Sequence, residues 1–154
     1  MKNKIFITIF FLITLSSCGF SPIYTGSSKE VVISKSEVAG DKELAFNLEQ
    51  KLNFRKDEKD VNAYIFKAQI FDNSESSLID NRGIATEEII KLTVSYQFQD
   101  KNGLVIYQDD ISKDKRVAVT DNLSNNSIIK NNEKKILLDS IIQNILFKSR
   151  VSLR

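Results

Sequence analysis

Along residues 90–99 apolar and polar side chains alternate without a break. Ile90, Leu92, Val94, Tyr96 and Phe98 fall on one face, and Lys91, Thr93, Ser95 and Gln97 on the other. Period two over this length predicts a strand in an antiparallel sheet with one side covered and one side wet. Asp100-Lys101-Asn102-Gly103 follows as a hairpin turn, with Asn-Gly at its end where positive φ costs little. Leu104–Ile111 then returns as the next strand, extending toward Val119 as a long hairpin arm. A weaker period-two stretch, Ala63–Asp72, places Tyr64, Phe66, Ala68 and Ile70 together, and Val31-Val32-Ile33 reads as a short first strand. Helical spacing appears twice. Leu44, Leu48 and Leu52 recur every four residues after Asp41, a residue type that caps helices. Leu138, Ile141, Ile142 and Ile145 form the second stripe, with Glu133 expected near that helix's start and Lys148 and Arg150 near its end.

The segments between are polar. Arg55–Asp60 reads as a solvated loop, Asn73–Arg82 as a Ser-rich loop or loosely paired edge, and Thr120–Asn131 as an Asn/Ser loop. The order strand, helix, three strands, helix predicts an α+β two-layer sandwich. Its sheet is mostly antiparallel and four-stranded, with two helices on one face (β-α-β-β-β-α).

The first residues have a different character. Lys2 and Lys4 precede an apolar run, Ile5–Leu15, too short for the ~20 residues of a membrane-spanning helix but suited to a signal peptide. Leu15-Ser16-Ser17-Cys18 resembles the bacterial lipobox, in which small residues flank the cleaved bond and the cysteine thiol takes the lipid. An ordinary secretory signal beside a chance cysteine is the plainer alternative. Cys18 is, however, the chain's only cysteine. Position +2 is Gly19 and not Asp, which by the sorting rule for such lipoproteins favours the outer membrane. The expected organisation is therefore 1–17 signal peptide, 18–29 lipidated tether containing the single proline Pro22, and 30–154 one α+β domain.

Composition narrows the function. The chain has 22 Lys and Arg against 20 Asp and Glu, and losing Lys2 and Lys4 with the signal balances them, which argues against a nucleic-acid binder. With no His and the one Cys acylated, the usual catalytic bases and nucleophiles are missing. The adjacent carboxylates Glu87-Glu88 and Asp109-Asp110 point to opposite faces of a strand and cannot converge. No enzyme activity, metal site or cofactor beyond the lipid on Cys18 is expected. Lys113, Lys115 and Arg116 form a basic group suited to phosphate, although only Lys113 and Lys115 can share a strand face; gatekeeper lysines on an edge strand are the plainer reading.

The mature start Cys18-Gly19-Phe20-Ser21-Pro22-Ile23-Tyr24 resembles the Cys-Gly-Phe-x-Pro-Leu-Tyr opening of the lipopolysaccharide-assembly lipoprotein LptE family. The order of elements and the Asn/Ser segment Asp121–Ser127 before a charged C-terminal helix are similar as well. Asp121-Asn122 stands where a Tyr-Asn pair is expected. The resemblance implies an outer-membrane lipoprotein that sits inside the large β-barrel LptD, helps it assemble, and contacts lipopolysaccharide on its way to the cell surface. Thr93 and Ser95 on the polar face, with Lys113, Lys115 and Arg116, are the expected partner or lipopolysaccharide contacts. A generic periplasm-facing lipoprotein module gripping another envelope protein or a lipid is the alternative.

Overall fold

The computed structural model describes residues 30–153. The expected signal peptide and the whole tether, Cys18 included, lie outside the described residues.

Strand β1 (Val32–Ala39) leads into helix α1 (Lys42–Leu52). Asp41 caps that helix as expected, its carboxylate accepting from the backbone N–H of Glu43 and Leu44, both at 3.0 Å. The chain then forms β2 (Arg55–Lys56), β3 (Tyr64–Ile79), β4 (Ala85–Gln99), β5 (Val105–Ala118) and the 30-residue helix α2 (Leu123–Ser152). The sheet order is β2-β1-β3-β4-β5. β1 runs parallel to both β2 and β3, so β1-α1-β3 is a crossover unit, and the rest is antiparallel.

Both helices cover one face of this sheet, as the patterning predicts. The expected four strands become five, because Arg55–Lys56 lies beside Val32–Ile33 instead of forming only a solvated loop. Of the two readings of Asn73–Arg82, the paired edge holds for residues 73–79 and a turn follows. Residues 73–79 continue β3 paired with β4, from Asn73 opposite Lys91 to Ile79 opposite Ala85, with register shifts between Ser76 and Leu78 and between Leu78 and Ile79. Its turn, Asp80-Asn81-Arg82-Gly83, repeats the chemistry of Asp100-Lys101-Asn102-Gly103. In each, the Asp carboxylate accepts two backbone N–H groups at 2.8–2.9 Å, from residues two and four further on. Each ends in glycine, at φ 80 and 84, where a side chain would be strained.

The Asn/Ser segment is also corrected. Helix α2 begins at Leu123, capped by the Asn122 side chain, which accepts from Asn125 N–H at 3.0 Å. Glu133 therefore sits well inside the helix and not at its start.

The core lies between the layers. Ile90, Leu92, Val94 and Phe98 of β4 are fully buried, with Leu48 of α1 and Ile141 and Ile145 of α2 above them. Phe54, Phe66, Tyr96 and Phe98 make edge-on or tilted contacts at 5.1–6.3 Å. Three ion pairs stitch α2 to the sheet around this core: Lys130–Glu88, Lys134–Asp72 and Lys148–Asp109, each at 2.5 Å.

Candidate partner-facing surface

With both helices on one side, the other face of the sheet is left open. Its composition follows from strand register. Glu37, Lys67, Gln97 and Gln108 form one row across β1, β3, β4 and β5. Ala39, Gln69, Ser95 and Asp110 form the next, then Phe71, Thr93 and Ser112, then Asn73, Lys91 and Asp114, and then Glu75, Ile89 and Arg116. A shallow hollow of about 740 Å³ lies over the first two rows, lined by Glu37, Lys67, Gln69, Ser95, Gln97, Gln108 and Asp110.

The surface is hydrogen-bonding and balanced in charge. Thr93 and Ser112 share a hydrogen bond between hydroxyls at 2.9 Å. Glu37 stands 2.6 Å from Lys35 and 3.5 Å from Lys67, and the Lys35 ammonium holds the Glu37 carboxyl below its usual range. Phe71, about half exposed, is the large apolar side chain in the middle of this face.

The expected contact residues divide between the two sides. Thr93 and Ser95 lie on the open face, and Arg116 joins them at the row of Ile89, 3.9 Å from Glu87. Lys113 and Lys115 lie opposite Leu92 and Ile90, on the helix side of edge strand β5. The period-two argument that separated Arg116 from the two lysines is thus met, and the basic group does not form one patch. Cys18, the expected lipidation site, lies outside the described residues.

Two polar features on the covered side were not read from sequence. Asn126 is buried in the first turns of α2, where its side-chain oxygen accepts from Thr120 N–H and Oγ1 and its amide donates to Thr120 C=O at 2.7 Å. It clamps the end of β5 to the start of α2. An Asn in a run of Asn and Ser carries no sequence signal that sets it apart from its neighbours. Near the other end, Lys148 donates to Asp109 at 2.5 Å, which holds the Asp109 carboxyl below its ordinary range and raises the lysine. Tyr107 donates to the same carboxylate at 3.4 Å. The neighbouring Tyr96 hydroxyl is buried with no hydrogen-bond partner among the described residues, and burial pushes its ionisation well above the ordinary tyrosine range.

No family model and no curated protein sequence matches this chain. Solved structures do resemble it. A minor lipoprotein of Acinetobacter baumannii superposes with a TM-score of 0.59 at 16% identity, over 79% of this chain and 92% of that one. Lipoprotein B of Nitrosomonas europaea gives 0.56 at 12% identity, over 76% and 83%. Rare lipoprotein B of Shewanella oneidensis gives 0.52 at 12% identity, over 77% and 94%. At such identities the likeness is one of architecture: this chain has the α+β fold found in these bacterial lipoproteins.

Proposed function

We propose that this chain is a lipid-anchored outer-membrane lipoprotein, held on the periplasmic side through Cys18. It docks inside an LptD-type β-barrel, assists its assembly and takes part in lipopolysaccharide transport, without catalysis of its own. The observation that carries the reading is the asymmetry of the sheet. One face is sealed by α1 and α2, while the other is broad, concave, polar and balanced in charge. The water-filled interior of a large barrel presents the same kind of surface. Many modest hydrogen bonds across such an interface give specificity without a large apolar patch.

The lipobox-like Leu15-Ser16-Ser17-Cys18 and the opening Gly19–Tyr24 support the anchor and the partner class. The fold shared with lipoproteins of three other bacteria supports an envelope location. Lys113 and Lys115, on the rim between β5 and α2, are the proposed phosphate contacts for lipopolysaccharide, with Arg116 reaching the open face.

The test is extraction of the full-length chain from membranes in mild detergent, followed by mass spectrometry and palmitate labelling. Palmitate on the wild type, none on Cys18→Ala, and recovery of a large outer-membrane barrel with the wild type are the expected results. Labelled protein that emerges without any barrel would leave the anchor and remove the partner.

A further inference from the structure

At the end of the sheet where the described chain begins, α1 and the β1–β2 edge do not close on each other. A groove of about 530 Å³ runs between them, floored by Ile33, Leu52 and Phe66 and walled by Phe46 and Phe54 together with polar and charged side chains, Glu30 among them. The floor residues are core residues, 0–4% exposed. The wall includes Phe46, 62% exposed although it projects from a helix with a well-formed core face. Phe54 bridges floor and wall, its ring 5.5 Å from that of Phe66. The sheet edge beside the groove is also open. Beyond Ile33, β1 has no strand neighbour on its β2 side among the described residues.

We propose that the tether segment Phe20–Tyr24 of this same chain occupies the groove. The argument is one of reach and chemistry. Tyr24 precedes Glu30 by six residues, a span of at most about 20 Å, so the segment emerges beside the groove and cannot travel far from it. It carries Phe20, Ile23 and Tyr24, large apolar side chains that a bare linker does not need. Pro22 fixes its own φ and steers Ser21 to extended backbone, which lowers the cost of ordering the segment along a strand edge. Gly26-Ser27-Ser28 supplies the slack for the chain to turn into β1. Docking shortens the effective tether and holds the domain close beneath the bilayer in a fixed orientation, instead of swinging on twelve free residues. The inference rests on the lipoprotein reading in one respect, that residues 18–29 remain on the mature chain.

Disulfide trapping on the full-length chain tests it. Acylated Cys18 offers no competing thiol, and palmitate labelling of the same sample reports acylation separately. Ser21→Cys is paired with Gln50→Cys, on the groove wall, and in a second protein with Val151→Cys, exposed near the end of α2 at the same end of the molecule. Cross-linking is expected severalfold faster at position 50 than at 151. Phe20→Ser, Ile23→Ser and Tyr24→Ser together should abolish the difference. Equal rates at the two positions would overturn the proposal, as would Gln50→Cys trapping a second copy or another protein in preference to the tether. Loss of palmitate labelling with the 21–50 preference intact would remove the anchor and keep the docked segment. Labelling without that preference would do the reverse.

Discussion

Tyr96→Phe is expected to stabilise the protein. The side chain is 3% exposed, on the covered face of β4, and its ring meets Phe98 edge-on at 6.1 Å and Tyr107 at 6.0 Å. Phenylalanine keeps the ring in place. What it removes is a buried hydroxyl with no hydrogen-bond partner among the described residues. Leaving such a group unpaired costs about 1–3 kcal/mol, and the volume given up is one oxygen atom, so the cavity term is small. The expected net gain is about 1 kcal/mol, a rise of a few degrees in the thermal midpoint for a domain of this size. Urea unfolding followed by circular dichroism measures it, with an unchanged denaturant slope showing that both proteins unfold from comparable states. A loss of about 1 kcal/mol or more would refute the reasoning. It would mean that the hydroxyl donates to Asp109 or pairs with Tyr107, and that the polar cluster of Lys148, Asp109 and Tyr107 includes Tyr96 as a fourth group.

Three further outcomes follow from the same structure. Tyr96→Asp should abolish cooperative unfolding while Ser95→Asp keeps it at a small cost from facing Asp110, because an unpaired buried carboxylate costs an amount comparable to the ~5–15 kcal/mol that holds a domain; equal thermal melts would mean the register of β4 is wrong. Asn126→Leu should lose about 1–3 kcal/mol in the same urea assay, because Thr120 N–H, Oγ1 and C=O all lose their partner. Asp109 has its pKa depressed by Lys148, so its contribution is fully present above the unfolded-state value of about 4 and is lost as the pH falls through the lower folded-state value. Asp109→Asn should therefore lower stability at neutral pH and flatten the acid limb of the stability profile. The effect is modest, since both side chains keep contact with water.

What the chain reveals without its structure depends on how uniform each face is. β4 is legible from Ile90 to Gln99 because there every inward position is apolar and every outward one polar. The second half of β3 is not, because its inward positions are Asp72, Ser74 and Ser76, two of which meet polar or charged side chains. Its strand pairing rests on the ladder with β4, which leaves no period in side-chain hydropathy. A signal was nevertheless present: Asp80-Asn81-Arg82-Gly83 has the same form as the recognised turn twenty residues later. The start of α2 was hidden for another reason. Asn and Ser favour caps and turns over helix interiors, and Asn126 is helical there because its side chain clamps Thr120. Of the candidate contacts, Thr93, Ser95 and the division between Arg116 and the lysines were readable from period two alone. The hollow over Gln97 and Gln108 and the groove beside Phe46 arise from how separate strands and α1 sit side by side, which no local pattern encodes.

The central claim is that the open sheet face meets a barrel. The most direct test is side-by-side detergent extraction of the full-length wild type and of a double variant, Thr93→Glu with Ser95→Glu, blotted for the co-purifying barrel. Both positions face away from the core, so the variant should keep the wild-type circular dichroism spectrum, with a thermal midpoint lowered only by the loss of the Thr93–Ser112 hydrogen bond and by a new carboxylate at position 95 facing Asp110. The account predicts markedly reduced barrel recovery, because two like charges are placed on adjacent rows of a surface meant to be covered. Equal recovery from a folded double variant would contradict it and move the interface to other surfaces of the domain.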